Sequence, residues 1–307
     1  MEQSFTSDAL SRDLIFNGLK GEIIDYIISS YKVNVKLIYL YYYHPNIQVH
    51  CHEIVEGTGT GHDSFVHEHY REFPNGGIYH AKFILITTTE ACRFIVMTTN
   101  ITNTTIKDCL NDYYQIDIPL CGMKAPTIFT SRLYQFLDTY HIKVKSCLNQ
   151  YDWYGLQANL LVSIPRSINH SMCWRLLLNT NKRLKGKATI RTASFALSWD
   201  IKKILHIQEC TVEYDQNYQQ RADLKDLILY KFENNLDQKK GKNKYELKAM
   251  ELKPYHYKRY TIEYTKPEKR WLIITSANLG KSAWGSLKQP SLNAELGITW
   301  NSKFNFN

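Results

Sequence analysis

Features that would indicate an anchored, secreted or metal-stapled protein are missing from this sequence of 307 residues. No stretch approaches the roughly 20 apolar residues of a membrane-spanning helix, and the first residues (MEQSFTSDALSRDLIF) lack the charged-then-apolar order of a secretory signal. The seven cysteines are odd in number, scattered and outside any CxxC or CxxH pair, which argues against a structural zinc site. We therefore expect an intracellular protein with free thiols in a reducing compartment and no contact with a membrane.

The composition is that of a globular, basic protein. Hydrophobic residues make up 44% of the chain, which is ample for a buried core in one large domain or two ordinary ones. Lysine and arginine number 38 against 29 aspartate and glutamate residues, a net charge of +9. This excess favours a polyanionic partner such as nucleic acid, although ordinary solvation of the surface also accounts for it.

The hydrophobic patterns indicate helices and strands along both halves of the chain. Leucine and isoleucine recur at helical spacing over residues 8–31, and the aromatic, β-branched run at 33–43 (VNVKLIYLYYY) predicts a strand. The other predicted elements are strands at 78–87, 93–99, 156–165 and 187–196 and helices at 131–144, 173–181 and 221–235. The alternation predicts an α/β protein with two similar halves.

One short motif occurs twice, each time in a run that predicts a strand. IYHAKFILI and PYHYKRYTI each contain a histidine and a lysine separated by one residue, His80 with Lys82 and His256 with Lys258. Side chains alternate between the faces of a strand, so the histidine and lysine of each pair point the same way, about 7 Å apart. A buried ammonium group without a partner is costly, so two such lysines imply an anion between them.

Each copy of the motif is followed by a second apolar strand that begins with arginine and ends in a turn with asparagine. The two runs are RFIVMTTNITN and RWLIITSANLGKSAWG. Asn100 follows His80 by 20 positions, and Asn278 follows His256 by 22. The matching order of histidine, lysine and asparagine indicates an internal repeat whose two copies build one site.

The duplicated set suits the chemistry of phosphoryl transfer. Two lysines and two asparagine amides can hold the non-bridging oxygens of a phosphate and stabilise the negative charge of the transition state. Imidazole is a nucleophile when neutral and an acid when protonated, and both forms are accessible near neutral pH. Two histidines on opposite sides of one phosphorus therefore suggest a two-step displacement through a phosphohistidine, without a metal ion or other cofactor. The remaining histidines, including the HCHE run at 50–53, are interpreted as structural.

The paired motifs resemble those of the phospholipase D superfamily, and the second half is similar to its tyrosyl-DNA phosphodiesterase branch. The similarity is most distinctive in RWLIITSANLGKSAWG and in NAELGITW, which follows it. The usual superfamily signature has an aspartate five positions after the lysine, where this sequence has Thr87 and Glu263. The missing aspartate in the first motif and the asparagine pattern favour the DNA-repair branch over the lipid branch.

The resemblance implies a role for each residue of the repeated set. His80 is the expected nucleophile and His256 the expected general acid and base. Glu295, in NAELG, matches the carboxylate that orients a histidine from the other half of the chain. The residues expected to bind the phosphate are Lys82, Lys258, Asn100 and Asn278.

Four further positions are assigned from the same resemblance. The corresponding amide, which lies in the first half and orients the other histidine, is expected to be Gln115, in YYQIDIPL, with Asn111 as the alternative if the alignment has no gap. Ser194, in RTASFALSW, resembles a serine near the DNA phosphates, and Lys281 is expected to reach the same phosphates from the helix after the second asparagine.

The resemblance also implies the fold and the activity. The expected fold is two similar α-β-α domains, residues 1–148 and 149–307, each a mixed sheet flanked by helices and related to the other by a pseudo-twofold axis. The expected reaction is metal-independent hydrolysis of the 3′-phosphotyrosyl bond between a DNA end and a trapped topoisomerase I peptide. The expected partner is a single-stranded 3′ end bearing that remnant, bound by a monomer in the nucleus and also in mitochondria.

Two alternatives remain at this point. One is another phospholipase D superfamily enzyme, either a nuclease or a phosphatidyltransferase. The other is a degraded copy that binds DNA ends without turnover, and the feature that separates it from an enzyme is whether the fold is complete after Glu295.

Overall fold

A computed structural model gives the fold of most of the chain. It describes residues 2–7, 10–56, 66–69, 77–107, 109, 111–165, 186–192, 209–215, 245–250, 256, 258–265, 268–278, 281–284 and 291–301. Those residues form two seven-stranded sheets and a few short helices. None of the helices in these ranges is both long and apolar enough to cross a membrane.

The first sheet is built from residues before position 120. Its strands are β1 (Glu2–Ser7), β2 (Ile23–Asn34), β3 (Ile47–Glu56), β4 (Val66–His69), β5 (Phe83–Thr88), β6 (Ala91–Met97) and β7 (Asn111–Pro119). They lie in the order β1-β7-β6-β5-β2-β3-β4. The β2/β3 and β3/β4 pairs are parallel and the other pairs are antiparallel, so the sheet is mixed.

The second sheet repeats this arrangement. Its strands are β8 (Ala158–Ser163), β9 (Gly186–Thr192), β10 (Glu209–Asp215), β11 (Tyr245–Met250), β12 (Lys258–Thr265), β13 (Glu268–Thr275) and β14 (Glu295–Asn301). Their order is β8-β14-β13-β12-β9-β10-β11, which is the order of the first sheet with seven added to each strand number. The parallel pairs are again the last two in the row. The predicted pair of similar mixed sheets is confirmed, while the pseudo-twofold axis stays a prediction.

The helices that the structure describes are short. They are α1 (Arg12–Phe16), α2 (Val35–Leu37), α3 (Asn103–Lys107), α4 (Ile128–Thr139) and α5 (Lys281–Trp284), with single turns at Ile38–Tyr42, Leu148–Gln150 and Trp153–Gly155. Helix α4 accounts for the helix predicted at 131–144, and it begins at a capping box between Thr127 and Thr130. The helices predicted at 173–181 and 221–235 lie outside the described residues.

The inner strands of the first sheet are buried on both faces, and the two sheets share one core. The shared core contains Phe83, Phe94 and Tyr114 from the first sheet and Ile298 and Trp300 from the second, together with α4. The rings of Tyr114 and Trp300 lie 4.3 Å apart at their centroids. A separate apolar cluster covers the outer face of each sheet. Burial on both faces makes the inner strands strongly hydrophobic.

The predicted alternation along the first motif is confirmed. Phe83 and Leu85 point into the shared core, whereas Ile84 and Ile86 point into the outer cluster of the first sheet. Tyr79 also belongs to the shared core, so the phase of the pattern continues back to the residue before His80.

Two predicted elements near the N-terminus are wrong. The helical pattern over 8–31 contains only the short α1, and its last part, from Ile23 onward, is strand β2. Tyr26, Ile27 and Ile28 are all buried, so the strand is hydrophobic on both faces, and such a run cannot be distinguished from a buried helix by periodicity. The strand predicted at 33–43 is mostly helical because Asn34 ends β2 and caps α2, its side chain accepting a hydrogen bond from the Leu37 amide.

The shared core predicts that the two sheets unfold together. Ile298→Ala removes a fully buried side chain from that core and is expected to lower the free energy of unfolding by about 2–5 kcal/mol. Ile128 is 69% exposed, and Ile128→Ala is expected to change stability by less than about 0.5 kcal/mol. Urea denaturation followed by fluorescence and circular dichroism measures both changes. Two separate transitions in the wild-type protein would contradict a shared core.

Candidate active site

The repeated motifs lie at the middle of both sheets. His80 and Lys82 immediately precede β5, and His256 and Lys258 stand at the beginning of β12. Strands β5 and β12 are each the fourth of seven in their sheet. The strand that follows each of them is antiparallel, so its end returns to the same edge of the sheet. Asn100 and Asn278, which follow those strands, lie at that edge.

His80 is held by a carboxylate from the second half of the chain. Its Nδ1 atom lies 2.9 Å from Oε2 of Glu295, and both side chains are buried. Ser276 donates a hydrogen bond to the same carboxylate oxygen, and Asn293 donates to the other at 3.2 Å. With Nδ1–H directed at the carboxylate, the lone pair of the imidazole is on Nε2.

The backbone around His80 is joined to the second half as well. The amide of His80 donates to the carbonyl of Ala294 at 2.9 Å, and the amide of Ala294 donates to Ile78 at 3.0 Å. The side chain of Asn293 accepts a hydrogen bond from the Ile78 amide. These bonds fix the first motif against the segment that carries Glu295.

His256 is held by the first half of the chain, through a carbonyl instead of a carboxylate. Its Nδ1 atom donates to the carbonyl oxygen of Thr98, which follows β6. Lys258 donates to the same oxygen at 3.3 Å, and its Nζ atom lies 3.0 Å from Nδ1 of His256. Each histidine is therefore positioned by the opposite half of the chain. Both of these contacts use the Nδ1 atom and leave the Nε2 atom out.

The two lysines of the site are fully buried. Lys82 donates to the carbonyl of His80 at 3.0 Å and lies 5.7 Å from the centre of the Tyr31 ring. Burial and the nearby Lys258 lower the pKa of Lys82 well below its usual value. Burial also lowers the pKa of Lys258 to about 7, although Glu295 and Asp112 act in the opposite direction. An ammonium group has three donors, so Lys82, which uses one for the carbonyl of His80, retains donors for an anion.

Burial keeps both histidines neutral. It lowers the pKa of His80 to about 4, against the effect of Glu295. The pKa of His256 falls well below its usual value because of burial and because Lys258 and Lys82 are close. Burial alone would raise the pKa of Glu295, but His80 and Lys82 outweigh it and hold that pKa below its usual value. The result is two neutral imidazoles beside one carboxylate and two lysines.

Each of the two asparagines follows the second strand of its motif and has one unsatisfied amide oxygen. The Oδ1 atoms of Asn100 and Asn278 are buried and have no hydrogen-bond partner among the residues that the structure describes. Buried amides are normally paired, and an unpaired one calls for a ligand or water. An amide oxygen accepts hydrogen bonds, as phosphate oxygens do, so a phosphate would have to be bound by the Nδ2 donors of the two amides, and that role stays a prediction.

The amides proposed to orient the second histidine lie elsewhere. Gln115 sits in the middle of β7 and donates to Asp117 at 3.0 Å. Asn111, the first residue of β7, donates to the carbonyls of Thr105 and Cys109, and its buried Oδ1 atom has no partner among the described residues. Neither amide is hydrogen-bonded to His256 in that part of the chain, so the role of Gln115, with Asn111 as the alternative, stays a prediction.

Ser194 and Lys281 were assigned to the DNA phosphates. Ser194 lies outside the described residues. Lys281 is the first residue of α5, three positions after Asn278. Their contacts with DNA phosphates stay predictions.

Four residues of the site were missed by the sequence reasoning. Ser276 and Asn293 each stand two positions before an assigned residue, Asn278 and Glu295, and that spacing was a usable signal. Thr98 acts through its backbone carbonyl, which no side-chain pattern reveals. Tyr31, whose ring lies 5.0 Å from that of His80, is 49 positions away from it in the sequence, in a region predicted to be helical.

No group of three or more histidine, cysteine, aspartate or glutamate side chains is close enough to hold a metal ion in the described ranges. The six cysteines that fall in those ranges are free thiols.

Comparisons with known proteins place the chain in a family. A family model described as Tyrosyl-DNA phosphodiesterase matches residues 24–193 and 196–306. The crystal structure of the yeast tyrosyl-DNA phosphodiesterase superposes with a TM-score of 0.73 at 13% identity, covering 98% of this chain and 90% of that one. A histidine-to-alanine mutant of the yeast enzyme gives a TM-score of 0.71 at 12% identity, covering 100% and 91%. No curated protein matches by sequence. The site at the seam of two like sheets and the family match together identify the chain as a member of the tyrosyl-DNA phosphodiesterase family.

Proposed function

We propose that this protein hydrolyses the 3′-phosphotyrosyl bond between DNA and a trapped topoisomerase I peptide. The observation that carries the proposal is the pair of neutral histidines, each held by the opposite half, beside two fully buried lysines. Two buried ammonium groups without an anion are costly, and a phosphodiester placed between them relieves that cost.

The first step forms a covalent intermediate. Nε2 of His80 attacks the phosphorus while the bond from phosphorus to the tyrosyl oxygen breaks on the opposite side. His256 donates a proton to the leaving oxygen, and the peptide departs as a free tyrosine side chain. His256 is neutral in the empty site, but the bound phosphate anion favours its protonated form and so supplies the acid.

The second step consumes water. His256, now neutral, takes a proton from a water molecule whose oxygen attacks the phosphohistidine. The bond from phosphorus to His80 Nε2 breaks, and DNA with a 3′-phosphate is released. The lysines and asparagines stabilise the added negative charge in both transition states, and no metal ion is required for that task.

The unlike partners of the two histidines support this division of roles. A buried carboxylate on Nδ1 raises the electron density of His80 and stabilises the positive charge that develops when its Nε2 attacks. A carbonyl on Nδ1 orients His256 without adding a full negative charge. His256 is therefore better suited to give and take protons.

The substrate and the location follow from family membership and from charge. A 3′ DNA end bearing a tyrosyl peptide places its phosphate in the site, while the positive net charge of the chain attracts the remaining phosphates. Nuclear action, with mitochondria as a second location, and a monomeric state are part of the same proposal.

One observation favours an enzyme over a degraded copy. Strand β14 begins at Glu295 and pairs with both β13 and β8, so the segment that carries the carboxylate is integrated in the sheet. A copy that only bound DNA ends would not need the buried hydrogen bonds on that carboxylate. A lipid phosphatidyltransferase is less well supported, because the family match is to the DNA-repair branch.

Turnover is expected to be independent of divalent metals. A 3′-phosphotyrosyl oligonucleotide should be cleaved to the 3′-phosphate in the presence of a chelator, because lysines supply the positive charge at the phosphate. Gel separation of the two oligonucleotides measures the reaction. Cleavage only after a divalent metal is added would contradict the proposal.

The two histidines are expected to fail in different ways. His80→Ala should abolish cleavage, since it removes the nucleophile. His256→Ala should slow release of the covalent intermediate most, and a protein–DNA adduct should accumulate on denaturing gels. If the adduct formed on the His80→Ala protein instead, the two roles would be reversed.

Anion binding is expected to weaken as the pH rises. The pKa of Lys258 is about 7 in the empty site, and a bound dianion raises it, so binding takes up a proton above pH 7. The affinity for sulfate, which keeps its charge over this range, should fall by up to about tenfold per pH unit between pH 7 and 9. Calorimetry in buffers of different ionisation enthalpy measures the proton uptake. In the Lys258→Met variant, the sulfate affinity should depend less on pH. A sulfate affinity that does not change with pH in the wild type would refute the anion-binding role of Lys258.

A further inference from the structure

A buried ion pair joins the two halves beside His256. Nη2 of Arg259, the residue after Lys258 in β12, lies 2.5 Å from Oδ1 of Asp112 in β7. The Asp112 side chain is 1% exposed and that of Arg259 is 21% exposed. Neighbouring residues of a strand point to opposite faces, so β12 directs Lys258 to the site and Arg259 to the first sheet.

Asp112 in turn fixes the residue that holds His256. The Asp112 amide donates to the side chain of Thr98 at 3.0 Å, and the Thr98 amide donates to the Asp112 carbonyl at 3.1 Å. The carbonyl of Thr98 then accepts the hydrogen bonds from His256 and Lys258. Arg259 thus contacts Asp112, Asp112 is hydrogen-bonded to Thr98, and Thr98 accepts from His256. This series of contacts begins and ends in the second half of the chain.

We infer that Arg259 and Asp112 are positioning residues for His256. The inference rests on the proposed function, because it concerns the step in which His256 activates water. Thr98 directly follows β6, and its two hydrogen bonds with Asp112 hold the residue whose carbonyl contacts His256. The ion pair holds Asp112 against β12, which begins two residues after His256. It thereby keeps the Thr98 carbonyl at hydrogen-bond distance from Nδ1 of His256.

The effect is expected to differ between the two chemical steps. A tyrosyl oxygen, with a pKa near 10, leaves with little help from an acid. Water, whose pKa is about 15.7, needs the base far more. A displaced His256 therefore slows resolution of the covalent intermediate more than its formation.

Arg259→Met tests the inference in the full-length protein. It removes the charge but keeps a long side chain, and resolution of the intermediate should slow by about tenfold or more, while formation changes much less. Rapid-quench kinetics on a 3′-phosphotyrosyl oligonucleotide give both rates. Arg259→Lys, which keeps the charge, should restore part of the resolution rate.

Arg93→Met is the matched control. Arg93, in β6, forms a partly buried ion pair with Asp117 near the other end of β7, the strand that carries Asp112. Its loss is expected to lower stability without changing the ratio of the two rates. If Arg259→Met lowered both rates equally, as a general loss of folded protein would, the positioning role would be refuted.

A double variant separates positioning from stability. Arg259→Met removes a cationic partner of the buried Asp112 carboxylate, which is destabilising, and Asp112→Asn on that background removes the buried negative charge. The double variant should be more stable than Arg259→Met but should resolve the intermediate no faster. Recovery of the resolution rate together with stability would overturn the inference. Failure of the wild-type protein to cleave the substrate at all would instead refute the proposed function.

Discussion

The burial of two lysine ammonium groups in one place is the constraint on which the rest of the site depends. Lys82 and Lys258 are fully buried at the centres of two sheets, and neither meets a carboxylate at hydrogen-bond distance within the described residues. Burial lowers the pKa of both lysines, and Glu295, together with the ring of Tyr31 beside Lys82, offsets part of the cost of their charge. Burial, together with the nearby lysines, lowers the pKa of both histidines and leaves them neutral. The empty site is thus prepared for an anion.

The repeated sequence motif predicted the essential part of this arrangement. Periodicity of two placed His80 and Lys82 on one face, and the matching copy at His256 and Lys258 indicated that the two would meet. The equal strand orders of the two sheets are the three-dimensional form of that repeat. Short motifs in strongly alternating strands are local information, so a sequence conveys them well.

The errors have one physical origin, which is that a partner in space is not a neighbour in sequence. Strand β2 was taken for a helix because its burial on both faces removed the alternation that identifies strands. Thr98 was invisible because it contributes only a backbone carbonyl. The cross-half contacts at Asp112 and Arg259 have no motif at all.

The exchange of partners between the halves has a consequence for the history of the sequence. Glu295 serves His80, Thr98 serves His256, and Asp112 meets Arg259, so each of these dependencies crosses from one repeat to the other. After a duplication, neither copy is free to diverge alone at these positions, because a change in one copy is felt in the chemistry of the other. Selection at these contacts therefore acts on pairs of residues, one from each copy. Among the described residues, the outer faces of the two sheets have no such pairing and can change independently.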